Sequence, residues 1–101
     1  MLEGFTFDEA ARCLAELGHP HRLQAFDFLV KAGEGGCAVS AVQAHLGIPK
    51  STLSHHLAKL VEVGLVTQVR EGRVLRCRVV EERARAMRGF VERCCEGLPQ
   101  R

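Results

Sequence analysis

Five cysteines are the residues best able to do chemistry here, and Cys94 and Cys95 are adjacent. Neighbouring side chains in a regular helix point about 100° apart, but Glu96-Gly-Leu-Pro99 follows, and such residues favour a frayed helix end. A disulfide between neighbours is disfavoured, because their α-carbons lie about 3.8 Å apart and ordinary disulfides need about 4.4 Å or more. A soft cation or metalloid could instead displace both thiol protons. The alternative is that Cys94 is an apolar packing residue and Cys95 an incidental neighbour.

A second feature is a stripe of small side chains, Ser51, Ser54, His55 and Ala58, at the helical spacing i, i+3, i+4 and i+7. Short side chains allow a flat polar partner to come close. Ser, Thr and His can donate to or accept from base edges when a helix lies in the major groove of DNA. An ordinary exposed helix face would show the same pattern, so both interpretations stay open at this point.

The charge distribution favours a polyanionic partner for the second half of the chain. The formal net charge is only +2, yet residues 1–49 carry 3 basic and 6 acidic side chains (3 − 6 = −3), and residues 50–101 carry 11 and 6 (11 − 6 = +5). Arg70 and Arg73 flank Glu71-Gly72 at the predicted tip of a hairpin. Side chains there can reach a phosphate or the minor groove.

The segments that would position these groups predict a helix-turn-helix. Val39 to Gly47 reads as a short helix ended by Gly, and Ile48-Pro49 leads directly into a helix from Pro49 to Val63. In the second helix, an apolar stripe should face the core; it consists of Leu53, Leu57 and Leu60. Two helices joined by a tight turn match the helix-turn-helix unit, whose second helix reads the groove.

Two helices are predicted before this unit. Thr6 and Glu9 have the spacing of a capping box, and the first helix should bury Phe7, Ala10, Leu14 and Leu17, with Cys13 off that stripe. After Pro20 a second helix should bury Leu23, Phe26 and Val30. His19 and His21 flank Pro20, where a turn or capping role is expected.

A hairpin and a last helix are predicted after it. Residues 67–80 alternate with the period of strands, which places Cys77 in the core and Arg76 and Arg78 on the other face. From Glu81 to Leu98, apolar residues recur at three- and four-residue steps, which is typical of a helix-pairing seam. The seam consists of Ala84, Met87, Val91, Cys94 and Leu98.

The sequence resembles the ArsR/SmtB family of winged helix-turn-helix repressors. The resemblance covers residues 14–80 and is carried by Leu17-Gly-His-Pro-His-Arg-Leu23, Ser51-Thr-Leu-Ser-His-His-Leu57, Gly64-Leu-Val66 and Arg70-Glu-Gly-Arg73. It implies a mainly α fold with a β-hairpin wing and a homodimer formed through the first and last helices. It also implies an inverted-repeat operator in double-stranded DNA, contacted by Lys50, Ser51, Thr52, Ser54, His55, Arg70 and Arg73.

The resemblance also restricts the effector site. Many members bind arsenite through a Cys-Val-Cys motif, but the matching positions here are Ala38-Val39-Ser40, and no His follows His56 to complete a zinc site on the last helix. The chain is similar instead to arsenic-responsive members with an adjacent Cys pair near the end of the dimerisation helix. This implies trivalent arsenic bound by Cys94 and Cys95. Those members have a third Cys a few residues later, which this chain lacks, so either Cys13 is the third ligand or a methylated arsenical needs only two.

Competing functions remain open at this stage. A thiol redox or persulfide sensor on the same fold would need two distant thiols that meet, for which Cys37 with Cys94 is the expected pair; a sensor of a soft ion such as Cd or Pb is another alternative. An enzyme is not expected, because the groove-reading helix accounts for His55-His56.

The N-terminal residues lack a signal-peptide pattern and no stretch approaches about 18 apolar residues. We therefore expect a single cytoplasmic domain, residues 1–101, with no membrane partner.

Overall fold

A computed structural model describes residues 5–99 of the chain. Within this range it contains five helices and three strands, in the order α1 (Phe7–Leu17), α2 (Pro20–Ala32), β1 (Cys37–Ala38), α3 (Val39–Leu46), α4 (Lys50–Glu62), β2 (Val66–Glu71), β3 (Val74–Val79) and α5 (Glu81–Cys94). The expected absence of a signal peptide concerns Met1 to Gly4, which lie outside the described residues. That residues 1–101 form one domain stays a prediction. No helix among residues 5–99 is long and apolar enough to cross a bilayer.

Helix α1 begins as predicted but buries a different face. Thr6 caps it, its side chain accepting from the Glu9 amide while the Glu9 carboxylate accepts from the Thr6 amide. The buried residues are Ala10, Cys13 and Leu17, whereas Phe7 is 76% exposed and Leu14 45% exposed. The predicted stripe through Phe7 and Leu14 was therefore wrong. Small Ala and Cys side chains let α1 approach the end of α4, which leaves the bulkier residues turned outward.

Helix α2 shows the same departure from prediction. It buries Arg22, Ala25 and Leu29, while Leu23 and Val30 are about half exposed and Phe26 is partly buried. His19 lies in the bend before α2, as the predicted turn role requires, but its side chain makes no capping hydrogen bond, so only the capping alternative was wrong. The apolar residues that define the sequence pattern of α1 and α2 thus lie largely on the outer surface.

Helices α3 and α4 agree with prediction. Helix α3 ends at Gly47, whose φ of 67° is a left-handed conformation that a residue without a β-carbon adopts at little cost. In α4 the predicted leucine stripe is completely buried, and burying one such side chain contributes about 1.5–3 kcal/mol. The stripe, Leu53, Leu57 and Leu60, fixes which face of α4 is turned to solvent.

The wing is a three-stranded antiparallel sheet with strand order β1-β3-β2, so the predicted hairpin gains a third strand. Glu71 pairs with Val74, which places the two-residue turn at Gly72-Arg73 rather than at Glu71-Gly72. Gly72 has a φ of 62°, as the first central residue of a type II′ turn requires. Cys77 is completely buried, which confirms its assignment to the core.

Helix α5 ends at Cys94, four residues before the predicted end at Leu98. Only the first part of the predicted seam is covered within the protomer, where Met87 is 8% exposed. This part lines an apolar groove of about 600 Å³ between α2 and α5, together with Phe26 and Leu29 of α2. The later seam residues, Val91, Cys94 and Leu98, are exposed.

Candidate nucleic-acid interface and cysteine sites

The outer face of α4 carries the small polar stripe predicted from the sequence. Ser51, Ser54, His55 and Ala58 are all exposed, and Thr52 is partly exposed. Within residues 5–99, none of these side chains forms an ion pair or a side-chain hydrogen bond. The stripe is therefore free to meet a flat polar partner.

The N-terminus of α4 is electrostatically suited to an anion. Pro49 occupies the N-cap position and offers no side-chain acceptor to the first amides, and the first turn contains no acidic residue. Exposed Lys50 adds a positive charge there. Free N–H groups and the positive end of the helix dipole together favour a phosphate at such a terminus.

Two arginines at the wing tip have no counterion in the described part of the chain. Arg70 and Arg73 are exposed, and neither forms an ion pair with another residue of the described range 5–99. The adjacent carboxylate of Glu71 accepts instead from Nε of Arg76 at 3.0 Å, and Arg76 also donates to the Gly35 carbonyl at 3.4 Å. Because Arg76 neutralises Glu71, the charges of Arg70 and Arg73 remain available to a partner.

A buried polar network joins α1, α2 and α4 within the protomer. Nε of Arg22 donates to Nδ1 of His56 at 3.3 Å, and Nη1 of Arg22 donates to the carbonyl and to the carboxylate of Glu16. Sequence reasoning missed both Arg22 and His56 as positioning residues. The signal was that His56 lies at i+3 from Leu53 and so falls on the buried face of α4.

His56 is held in its neutral form. Burial lowers the pKa of His56, and electrostatic interaction with the neighbouring His19, Arg22, His21 and His55 lowers it further. The His19 ring contacts the His56 ring, with centroids 4.4 Å apart and planes inclined by 51°. Because Nδ1 accepts from Arg22, the ring proton must be on Nε2.

Cys94 and Cys95 are both exposed at the end of α5. The Cys95 amide donates to the carbonyls of Val91 and Glu92 at 3.1 Å each, so the backbone is still partly helical at this position. Gly97, with a φ of 100°, then leaves the helical path. The two thiols are accessible to a ligand from solvent.

Cys13, the expected third ligand, is placed differently. Its side chain is completely buried and its Sγ donates to the Val63 carbonyl at 3.6 Å, next to Arg83 at the start of α5. Burial raises the pKa of the Cys13 thiol, although Arg83 partly offsets this. Arg83 and Cys94 are 11 positions apart on one helix, which is about 16 Å along its axis. One protomer does not bring these sulfurs together, and no three metal-binding side chains converge within residues 5–99.

Cys37 has a different neighbour from the one predicted. The thiol-sensor alternative expected it to meet Cys94, but Cys37 on β1 is the direct cross-strand partner of Cys77 on β3. Sequence reasoning missed this pair because β1 has only two residues and joins a strand 40 positions away.

Comparison with known proteins agrees with this geometry. A family model described as a helix-turn-helix domain matches residues 17–69, and no curated protein matches. The transcriptional repressor BigR from Xylella fastidiosa is 30% identical, with 93% of this chain and 90% of that one covered and a TM-score of 0.69. A homodimeric winged helix-turn-helix DNA-binding domain from Mycobacterium bovis, described as a possible ArsR-family regulator, is 29% identical (93% and 89% covered, TM-score 0.69). A structure described as a possible transcriptional regulator for arsenical resistance is 26% identical (82% and 83% covered, TM-score 0.71).

Proposed function

Because the chain belongs to the ArsR family of winged helix-turn-helix transcriptional regulators, we propose that it represses transcription as a homodimer on an inverted-repeat operator. In this proposal the protein leaves the DNA when a trivalent arsenical binds Cys94 and Cys95. The observation that carries the DNA-binding part is the exposed polar face of α4, together with two exposed wing-tip arginines that form no ion pair within residues 5–99. The effector part is supported by the accessible pair of thiols on α5.

On the operator, α4 lies in the major groove. Its N-terminal side chains, Ser51, Thr52, Ser54 and His55, contact base edges, while Lys50 and the free amides of the first turn bind a phosphate. Arg70 and Arg73 reach the DNA backbone or the minor groove at the flank. This division gives sequence preference to α4 and most of the salt-dependent affinity to the basic residues.

The homodimer is supported by the apolar residues that the protomer leaves uncovered on its first and last helices. Phe7 of α1 contacts Phe90 of α5 edge to face, with centroids 4.8 Å apart, although three quarters of Phe7 stays exposed. Leu14 and Val91 extend this apolar surface along both helices. Exposed apolar residues on both helices favour an association site there, and the Mycobacterium bovis relative is homodimeric.

Release requires the arsenical to bind the DNA-free conformation more tightly than the DNA-bound one. Cys94 and Cys95 follow Val91 on the exposed side of α5, so a ligand there changes the last turn of the helix that pairs with the second subunit. The angle between subunits then changes, and the two α4 helices no longer match half-sites about 34–36 Å apart. A coupling of about 1–3 kcal/mol weakens DNA binding roughly 5- to 150-fold.

The number of sulfurs distinguishes the arsenicals. Cys94 and Cys95 alone satisfy a monomethylated trivalent arsenical, which has two exchangeable positions. Arsenite takes three sulfurs, and the third would be a Cys13 from a second copy of the chain, which must leave its buried position beside the Val63 carbonyl to reach the pair. A soft ion such as Cd or Pb is the second candidate effector, favoured by the softness of the same two thiolates.

The test starts from an operator selected out of random duplex DNA. Fluorescence anisotropy of the selected duplex should show tight binding with an inverted repeat, and arsenite, a methylated trivalent arsenical, Cd and Pb are then added separately. We expect an arsenical to release the DNA at a lower concentration than Cd or Pb. Failure to select an inverted repeat would contradict the operator proposal, and release by Cd or Pb alone would contradict the arsenical.

A further inference from the structure

Cys37 and Cys77 face each other at the base of the wing. They are register partners in the antiparallel pairing of β1 with β3, and directly opposite residues of such a pair project from the same face of the sheet. Both thiols are free. Cys77 is completely buried and Cys37 is half-buried against the same core. Neither belongs to the DNA-contacting surface or to the Cys94–Cys95 pair.

The backbone spacing of such a pair permits a bond between the two sulfurs. Opposite α-carbons in antiparallel strands lie about 4.5 or 5.5 Å apart, which is within the range of about 4.4–6.8 Å found for disulfides. Opposite β-carbons lie about 4.5–5.5 Å apart, and a disulfide brings them to about 3.5–4.5 Å. The strands must therefore close slightly, and a bond strained in this way is readily reduced.

We propose that Cys37 and Cys77 form a reversible cross-strand disulfide with a peroxide as oxidant. The Cys37 thiolate attacks hydrogen peroxide, the O–O bond breaks, and Cys37 becomes a sulfenic acid while hydroxide leaves. The Cys77 sulfur then attacks Cys37 Sγ, the S–O bond breaks, and water leaves after protonation. In sum, two thiols and one hydrogen peroxide give one disulfide and two waters, so two electrons pass from sulfur to oxygen.

The surroundings assign the order of these steps. Cys37 meets the oxidant because it is the partly exposed member, whereas Cys77 has no exposed surface and can react only with its neighbour. Nε2 of Gln68, the partner of Cys77 on β2, donates to Cys77 Sγ at 3.5 Å and so supports negative charge on that sulfur. Burial raises the pKa of both thiols, which makes the oxidation faster at mildly alkaline pH than at neutrality.

The bond would connect the two halves of the DNA-binding unit. Strand β1 runs directly into α3, the first helix of the helix-turn-helix, and β3 carries the wing. A disulfide between them ties the wing to the helix-turn-helix covalently. This device does not depend on an arsenical at the α5 pair, and the two sites share no residue.

The test uses the full chain with the exposed thiols removed, Cys94→Ser and Cys95→Ser, so that chains do not cross-link. The protein is treated with hydrogen peroxide, its remaining thiols are alkylated under denaturing conditions, and it is examined by intact mass and peptide mapping. We expect a product that carries one alkyl group, on Cys13, where the reduced protein carries three, with the Cys37 and Cys77 peptides joined by a bond whose formation removes two hydrogen atoms. Dithiothreitol should restore both thiols, and the rate should rise between about pH 7 and about pH 8.5.

The matched control adds Cys37→Ser, a conservative change at a half-buried position. In this variant the joined peptide should be absent, and Cys13 and Cys77 should both be alkylated. A disulfide from Cys37 to Cys13, or oxidation of Cys37 to a sulfinic acid while Cys77 stays fully alkylated, would overturn the proposal.

Discussion

Nε of Arg22 donates to Nδ1 of His56 over 3.3 Å, and this contact between two buried side chains joins α2 to the helix that carries the candidate DNA-contacting face. Arg22 is anchored in turn by Glu16 of α1. Because His55 is the exposed neighbour of His56, the contact helps to fix the rotation of α4 about its axis. Together with the leucine stripe, the buried network therefore sets which side chains of α4 face solvent.

The state of His56 predicts how stability depends on pH. Its pKa in the folded protein is lowered from an ordinary value of 6.5, chiefly by burial. The unfolded chain thus takes up a proton at a higher pH than the folded one. The stabilising contribution of neutral His56 to the free energy of unfolding is complete above about pH 6.5 and is lost as the pH falls below that value. Urea unfolding between about pH 5 and about pH 8 should show a lower free energy of unfolding on the acid side.

Two histidine variants check this assignment. His56→Gln should flatten the acid limb of the stability profile, because the titrating group is removed. His45→Gln is the matched control; His45 stacks on Phe28 with centroids 4.3 Å apart, outside the Arg22 network, and its loss should leave the acid limb in place. An acid limb that persists unchanged without His56 would refute the role given to it.

Removing a side chain from α4 and removing one from the wing should have different effects on DNA binding. His55→Ala should cost about 1–3 kcal/mol of operator binding and relax the sequence preference, since a base contact is lost. Arg73→Ala should weaken binding to all DNA sequences alike, because it removes one phosphate contact. The slope of log K against log salt concentration should become shallower by about one. Anisotropy titrations on operator and random duplexes at several salt concentrations separate the two effects. Identical behaviour of the two variants would count against the division of roles.

The dimer surface can be tested with one charge on α1. Leu14→Glu places a carboxylate on the outward apolar side of α1 and should shift the protein towards monomer in sedimentation experiments. Val74→Glu is the control, because Val74 is similarly exposed (40% against 45%) but lies at the wing tip. If both variants sediment like the unmodified protein, the interface is not on α1.

Local patterns predicted the elements well but not the faces of every helix. The Thr6–Glu9 capping box and the leucine stripe of α4 depend on residues within one or two turns, and the structure confirms both. Helix α1 offers two apolar stripes, and only its tertiary neighbours decide that Cys13 rather than Leu14 is buried. Strand β1 could not be predicted, because its two residues carry no strand period and pair with a distant strand.

The effector proposal makes a separate prediction for the buried cysteines. Cys77 is completely buried and the proposal gives it no part in arsenical binding, so Cys77→Ser should leave release intact in whatever fraction of the protein folds. Cys13→Ser should abolish the response to arsenite and spare that to a methylated arsenical, since only arsenite requires the third sulfur. Anisotropy of the operator complex measures both. An unchanged arsenite response in Cys13→Ser would exclude that residue as a ligand.

The central claim is that an arsenical acts through Cys94 and Cys95, and one titration tests it most directly. A methylated trivalent arsenical is added to the operator complex of the unmodified protein and of the Cys94→Ser, Cys95→Ser variant, with DNA release followed by anisotropy. Both complexes should start with equal affinity, because the pair lies outside the DNA-contacting surface. We predict that the unmodified protein loses roughly 5- to 150-fold in DNA affinity and that the variant loses none. Equal release from both complexes would contradict the account and place the effector site elsewhere on the chain.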